Sequence, residues 1–121
     1  MSAQLLFLIR AGGLSEQVMK EESFGPILSV MAVQSDEEAV RLMNDSDYGL
    51  TAAVFSASTE RVEQMGSELQ FGTIFANRCD ALDPELPWGG VKDTGKGVSL
   101  SAYGFQSFTK LKGYHLKHAD A

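Results

Sequence analysis

An alternation of short apolar runs with amphipathic segments constrains the fold of this chain more than any other feature. The apolar runs occupy residues 27–33, 50–55 and 73–77, and each is rich in residues that favour strands. Between them lie segments whose apolar residues recur at helical spacing. Strands that alternate with helices pair in parallel through crossover connections. The sequence therefore predicts an α/β fold with a parallel-type sheet in the order β-α-β-α-β.

Both predicted helices begin after a serine that can cap them. Ser35 precedes Glu38 at the spacing of a capping box, so a helix should begin at Asp36. Ser58 can cap a second helix that ends near Leu69. The apolar stripes that should face the core are Ala39, Val40, Leu42 and Met43 in the first helix, and Val62, Met65 and Leu69 in the second.

The remaining segments are a long Gly/Pro loop and two chain ends of weaker pattern. Residues 77–97 have several glycines and prolines and no regular apolar period, which predicts an irregular loop. Residues 108–117 alternate basic with apolar side chains, as in an edge or intersubunit strand. Residues 1–17 combine an apolar run at residues 5–9 with a glycine pair, so they should be irregular or strand-like. Residues 118–121 are predicted to be a tail.

Composition and charge exclude several classes of protein. The 121 residues make one domain's length, and 44% hydrophobic with 21% charged residues is typical of a globular protein. A net charge of -6 argues against a nucleic acid or an anionic membrane surface as partner. The apolar run at residues 5–9 is too short to span a bilayer. A single cysteine, Cys79, excludes an internal disulfide and favours a cytoplasmic location.

Glu22 and Phe24 form the first candidate site. In an extended segment they would lie on one face, because alternate side chains point the same way. A carboxylate beside a flat apolar ring suits a ribose joined to an aromatic base. The alternative is that Glu22 is a solvated charge and Phe24 belongs to the core.

Cys79 and Trp88 are the candidate residues of the long loop. Cys79 is the only thiol, but a reactive thiolate needs a nearby histidine, cation or helix start, and Arg78 is its only evident neighbour. An unreactive cysteine is therefore the better interpretation. Trp88 lies between Pro87 and Gly89 and can be either a core residue or the wall of a pocket.

Two further patterns are weighed and set aside. Residues 90–96 match a phosphate-binding P-loop, but Gly97 stands where a Ser or Thr hydroxyl should hold magnesium. His115 and His118 have no accompanying carboxylate pattern, so no metal site is predicted.

Several segments resemble, in order and spacing, motifs from the C-terminal region of the aldehyde dehydrogenase superfamily. They are Glu21-Glu22-Ser23-Phe24-Gly25-Pro26, Asp47-Tyr48-Gly49-Leu50-Thr51-Ala52-Ala53-Val54-Phe55, Gly72-Thr73-Ile74-Phe75-Ala76-Asn77 and Pro87-Trp88-Gly89-Gly90-Val91-Lys92-Asp93-Thr94-Gly95-Lys96-Gly97. The resemblance implies a partial catalytic domain over residues 18–107 and an oligomerisation-type strand over residues 108–117. The family's usual Pro-Thr strand start is missing before the first motif, so the likeness begins near Val18.

The resemblance implies the oxidation of aldehydes to acids with NAD or NADP. Carried over to this sequence, Glu22 would bind the nicotinamide ribose hydroxyls and Phe24 would pack beside the nicotinamide ring. Cys79 and Trp88 would line the aldehyde pocket, and a Trp where the family usually has Phe leaves the preferred aldehyde open. No catalytic residue is assigned, because the family's nucleophile, base and nucleotide-binding domain precede these motifs. We therefore expect the chain alone to be inactive and to bind no cofactor.

The alternative to a truncated or partial aldehyde dehydrogenase is a non-catalytic assembly module. Part of a sheet leaves apolar surface and strand edges exposed, so the chain would pair with itself or with a separately encoded N-terminal half. The apolar run at residues 5–9 and the strand at residues 108–117 are the predicted contacts.

Overall fold

A computed structural model describes residues 7–10, 17–79 and 81–117 of the chain. The chain divides into two compact units, residues 1–46 and residues 47–121. The strands and helices are β1 (Phe7–Arg10), β2 (Ile27–Val30), α1 (Asp36–Asn44), β3 (Tyr48–Gly49), β4 (Thr51–Val54), α2 (Thr59–Glu68), β5 (Thr73–Ala76), β6 (Val91–Lys92) and α3 (Ser101–Gly104), with 3-10 helices at Gln17–Met19 and Phe105–Phe108. The predicted tail at residues 118–121 lies outside the described residues, as does most of the predicted N-terminal segment.

The first unit contains a parallel pair of strands. β1 and β2 pair from Phe7 opposite Ile27 to Arg10 opposite Val30. An apolar run such as residues 27–33 is typical of a strand that is covered on both faces, but Ile27, Leu28 and Val30 are all exposed here. The described part of the connection between the strands, residues 17–26, holds only a 3-10 turn, which is too short to cover them.

Helix α1 begins at Asp36 and is capped by Ser35, as the sequence predicts. The Ser35 hydroxyl oxygen accepts a hydrogen bond from the Glu38 N–H at 3.2 Å, and Glu38 Oε2 accepts one from the Gln34 N–H at 2.7 Å. These bonds use donors that a helix start otherwise leaves without partners. Within the helix, Val40 is buried and the other predicted stripe residues are half-buried.

The second unit is built on a strand, helix, strand arrangement. β4 and β5 pair in parallel from Thr51 opposite Thr73 to Val54 opposite Ala76, and the helix between them, α2, contacts both strands. The predicted inward-facing residues of α2 are buried together with residues of the two strands: Val62, Met65, Leu69, Ala52, Val54 and Phe75. Parallel strands joined through a packed helix confirm the predicted α/β class.

The N-terminus of α2 is capped as the sequence predicts. Ser58 Oγ accepts a hydrogen bond from the Arg61 N–H at 3.2 Å and donates one to Glu60 Oε2 at 2.9 Å. Leu69 ends the helix, since its N–H bonds to Met65 and Gly66 oxygens while its backbone is extended.

Within the described residues the strands form three two-stranded sheets. Besides the two parallel pairs, β3 and β6 form an antiparallel pair, with Tyr48 opposite Lys92 and Gly49 opposite Val91. Val91 and Lys92 lie in the segment predicted to be an irregular loop, because a two-residue strand has no periodicity that can be detected. The long Gly/Pro loop is therefore tied back to the start of the second unit.

The strand predicted over residues 108–117 does not form in this structure. Phe108 ends a 3-10 helix, and residues 109–117 have neither helix nor strand. A strand is stabilised by hydrogen bonds to a neighbouring strand, and no described segment pairs with these residues. Pairing with another subunit, and the domain boundaries at residues 18–107 and 108–117, stay predictions. None of the helices in the described ranges is long and apolar enough to cross a membrane.

Candidate functional site

Glu22 and Phe24 lie in the irregular stretch that leads into β2, in the first unit. Both are exposed, and the Phe24 side chain is 100% accessible to solvent. The backbone on either side is held, since the Glu21 N–H donates to the Gln17 oxygen at 2.9 Å and the Ile27 N–H donates to the Gly25 oxygen at 2.8 Å. The alternative role of Phe24 as a core residue is therefore not seen here, and its ring is free for an external contact.

Cys79 lies in the second unit, just beyond the carboxyl end of β5. It is an exposed free thiol. In α/β sheets, ligands bind outside the carboxyl ends of the parallel strands, and Cys79 occupies that position relative to the β4–β5 pair. This location suits a pocket wall better than a buried structural role.

Trp88 is held by a short bridge and lines an open cleft. The Trp88 backbone N–H donates to the Ser99 carbonyl oxygen, and the Trp88 carbonyl oxygen accepts from the Ser99 backbone N–H, each at 2.8 Å. The half-buried indole lines a cleft of about 440 Å³ together with Leu100 and Phe108. Leu100 and Phe108 also line a second, apolar cleft of about 310 Å³. Cys79 is not among the residues that line these two clefts.

The segment that resembles a P-loop uses its polar groups within the fold. The Asp93 N–H donates to the Asp47 oxygen at 2.9 Å, and the Thr94 N–H donates to the Val91 oxygen at 3.3 Å. The Thr94 hydroxyl oxygen accepts from the Gly49 N–H at 2.7 Å. A phosphate would need these donors free, so the structure supports the rejection of a nucleotide-binding loop.

Asn77 is a residue of interest that sequence reasoning missed. Its side chain bonds in both directions to the backbone of Ser56, and its φ is 54°. The one available signal is that an asparagine directly after a buried strand tolerates a left-handed backbone better than most residues.

Hydrogen bonds at the two helix starts lower the pKa values of two carboxylates. Backbone N–H hydrogen bonds, and then the Ser35 hydroxyl, lower the pKa of Glu37. Backbone N–H hydrogen bonds, and then the Ser58 hydroxyl, lower the pKa of Glu60. Among the described residues, no group of three or more His, Cys, Asp or Glu side chains could hold a metal ion.

The fold and the motif residues together define part of an α/β domain, and comparison with known proteins identifies its family. The sequence profile of the Aldehyde dehydrogenase family matches residues 14–114. The chain therefore belongs to the aldehyde dehydrogenase family, as its motifs predict.

Relatives and solved structures agree with this assignment. A chloroplastic betaine aldehyde dehydrogenase from Atriplex hortensis is 39% identical over 98 residues, which cover 81% of this chain and 20% of that protein. An NAD-dependent aldehyde dehydrogenase from Sinorhizobium meliloti superimposes with a TM-score of 0.86 at 32% identity, covering 93% of this chain and 23% of that one. Indole-3-acetaldehyde dehydrogenase from P. syringae, solved with NAD+ and IAA, gives a TM-score of 0.82 at 34% identity, covering 87% and 21%.

The chain thus spans about a fifth of the length of these relatives, 20% in the case of the Atriplex enzyme. The prediction of a short portion of an aldehyde dehydrogenase is confirmed. The structural neighbours include NAD-dependent enzymes, which confirms the cofactor class of the family. The expectation that this chain alone binds no cofactor stays a prediction.

Proposed function

We propose that this chain is the C-terminal part of an NAD-dependent aldehyde dehydrogenase and supplies one wall of its nicotinamide site and one wall of its aldehyde pocket. The observation that carries the proposal is the Glu22 and Phe24 pair, which lies inside the matched region and has a fully exposed ring. An exposed carboxylate and an exposed aromatic face are what a ribose and a planar ring require.

The residues of the first wall bind the nicotinamide ribose and orient the ring attached to it. The Glu22 carboxylate accepts hydrogen bonds from ribose hydroxyls, which fixes the position of the sugar. Phe24 gives the attached ring a flat apolar surface and excludes water from that side. NAD held by Glu22 and Phe24 would supply the hydride acceptor for aldehyde oxidation.

The residues of the second wall contact the aldehyde. Trp88 presents its indole to an open cleft, and Cys79 lies at the carboxyl edge of the parallel strands. Neither is proposed as the nucleophile. Covalent oxidation of an aldehyde needs a nucleophile, an oxyanion donor and a base held together, and no residue of this chain is assigned those roles. We expect the purified chain to oxidise no aldehyde and to bind NAD too weakly to measure.

A chimeric enzyme tests the proposed function. Residues 14–114 would replace the matching segment of an NAD-dependent relative such as the Sinorhizobium meliloti enzyme, and NAD binding and aldehyde oxidation would be measured. Glu22→Gln should raise the KM for NAD about 10-fold or more, since a hydrogen bond to a charged group contributes about 1.5–3 kcal/mol. Glu21→Gln is the matched control, because Glu21 lies next to Glu22 and has no proposed contact with NAD.

Equal effects of the two substitutions would contradict the assignment of Glu22. Phe24→Ala gives a second test of the same wall, because it removes the ring while it leaves the carboxylate. We expect weaker NAD binding from this variant as well. A chimera that oxidises aldehyde as fast with both Glu22→Gln and Phe24→Ala as without them would reject the proposed wall.

An assembly function is the second candidate, and exposed apolar surface favours it. The side chains of Leu28, Leu111, Tyr114 and Leu116 are exposed. Exposed apolar side chains in each unit are candidates for contact with another chain. We expect the isolated chain to form a homo-oligomer, or to bind a separately supplied N-terminal part of a relative. A monodisperse monomer in light scattering at micromolar concentration, with and without that part, would reject this function.

We infer a cytoplasmic location from the single cysteine. A relative from Atriplex hortensis is named as chloroplastic, so location varies within the family. Cell fractionation of the tagged chain tests the inference, and recovery in an organelle fraction would reject it.

A further inference from the structure

The side chain of Asn77 joins the carboxyl ends of β4 and β5. Its Oδ1 accepts a hydrogen bond from the Ser56 N–H at 2.8 Å, and its Nδ2 donates one to the Ser56 oxygen at 2.8 Å. The Asn77 N–H also donates to the Val54 oxygen at 2.9 Å. Asn77 thus continues the pairing of the two strands beyond its last register pair, Val54 and Ala76, with a side chain in place of a strand.

The backbone of Asn77 changes the direction of the chain at this point. Its φ of 54° lies in the left-handed region, which few residues other than glycine adopt but which asparagine tolerates. Both ends of its amide group are used, so one orientation of the side chain satisfies both bonds. The turn that leads to Cys79 is therefore fixed by the side chain as well as by the backbone.

The partner residue of Asn77 is itself held. Ser56 Oγ accepts a hydrogen bond from the Ser58 N–H at 3.1 Å, and Ser58 caps α2. The bonds from Asn77 therefore connect the start of the loop after β5 to the start of the helix that covers the strands. A loop joined to a packed helix has little freedom to shift.

We propose that Asn77 is a positioning residue that fixes where Cys79 stands at the carboxyl edge of the β4–β5 pair. The identification of that edge as an aldehyde-pocket wall rests on the proposed function, whereas the positioning is a property of this chain alone. Asn77 does not contact the substrate. It acts through the direction it gives to Arg78 and Cys79.

A spin label on Cys79 measures how firmly the Asn77 side chain fixes the position of Cys79. Cys79 is the only cysteine, so a nitroxide attaches at one position of the unaltered chain. Asn77→Gly removes both side-chain hydrogen bonds but still permits the positive φ. We expect the rotational correlation time of the label to fall about 2-fold or more, as for a loop released from a packed element. Asn77→Asp keeps an acceptor for the Ser56 N–H and loses the donor, so its label should be intermediate.

Ser56→Ala is the matched control. It leaves the Ser56 backbone, to which Asn77 bonds, and removes only the hydroxyl that accepts from the Ser58 N–H, so the label should loosen less than in Asn77→Gly. Circular dichroism and thermal unfolding of each variant separate release of the loop from loss of the fold. If Asn77→Gly does not fold, the Asn77→Asp spectrum decides the question.

An unchanged spectrum in folded Asn77→Gly, or in Asn77→Asp when the glycine variant does not fold, overturns the positioning role. That result would leave the proposed aldehyde dehydrogenase function intact. In the reverse case, equal effects of Glu22→Gln and Glu21→Gln in the chimera would reject the nicotinamide wall and leave the result of the label unaffected. Each of the two proposals can therefore be rejected without rejecting the other.

Discussion

The parallel pairs β1–β2 and β4–β5 are alike in register but differ in how far their side chains are buried. Each joins two strands residue for residue without offset. In β4, Ala52 and Val54 are 8% and 7% exposed, whereas Ile27 and Leu28 of β2 are 39% and 50% exposed. α2 contacts both β4 and β5, and the described part of the β1–β2 connection has no such helix. Cover by a crossover helix, more than strand sequence, thus decides burial.

This difference indicates how far each unit depends on other parts of a protein to cover its apolar strands. The second unit carries a core of its own, made by α2 and its two strands. The first unit exposes the strand that its sequence marks as apolar. Since the chain spans about a fifth of its relatives' length, 20% of the Atriplex enzyme, we expect other parts of such a protein to cover β2.

The largest expected effect comes from truncating one apolar residue in each pair. Phe75→Ala should lower the free energy of unfolding by about 3–5 kcal/mol, because it removes a buried ring from the core of the second unit. Leu28→Ala, the matched change in β2, should cost less than about 1 kcal/mol, because Leu28 already contacts water. Urea denaturation followed by circular dichroism measures both. Similar losses from the two variants would mean that β2 is as well covered as β5.

A smaller effect is expected where β5 begins. A side chain on Gly72 would overlap the carbonyl oxygen of Gly89, which is backbone and cannot rotate away. Gly72→Ala should therefore cost about 1–3 kcal/mol of stability. Gly113→Ala is the control, since nothing lies within 4 Å of a Cβ at that position. A thermal midpoint for Gly72→Ala equal to that of Gly113→Ala would show that the loop can move aside.

The sequence was sufficient for the elements that local chemistry decides. The helix starts at Ser35 and Ser58 and the inward stripe of α2 follow from capping and from apolar period. The exposure of β2 did not follow, because an apolar run indicates that a strand needs cover but not that the cover is present. The antiparallel β3–β6 pair and the hydrogen bonds of Asn77 were not predicted either. Both join residues far apart in the chain through contacts with no periodic pattern.

The same division between local and long-range effects applies to the sites. Glu22, Phe24, Cys79 and Trp88 were found from short patterns and from resemblance, and all are exposed or half-buried in the structure. The clefts beside Trp88 required coordinates, since their walls come from residues 84–108 folded back on themselves. Residues that shape a site through backbone bonds, such as Asn77, are the kind that pattern analysis misses.

The helix caps should behave alike in the two units. Ser35→Ala and Ser58→Ala each remove a hydroxyl that accepts from a backbone N–H at 3.2 Å. Each should therefore cost about 1 kcal/mol, within the usual range for loss of a cap. Amide hydrogen exchange in the first turn of α1 and α2 measures the effect. Ser67→Ala is the control, because Ser67 lies near the end of α2 and caps neither helix start. A loss confined to one helix would contradict equal local contributions.

The smallest effect is a dependence of stability on pH that both units should share. Hydrogen bonds from backbone N–H groups, followed by those of Ser35 and Ser58, hold the pKa of Glu37 and Glu60 below 4.5. The folded chain therefore binds these protons less readily than the unfolded chain. The stabilisation is present above pH 4.5 and is lost as the pH falls through the lowered pKa values.

Substitution of the Glu37 and Glu60 carboxylates should reduce the loss of stability at low pH. In Glu37→Gln and Glu60→Gln, the urea midpoint should change less between about pH 6 and pH 3 than in the wild type, because a glutamine cannot titrate. Glu63→Gln leaves both helix starts unchanged, so the fall should persist there. A flatter curve for only one of the two first-turn variants would show that the units differ in local electrostatics as well as in cover.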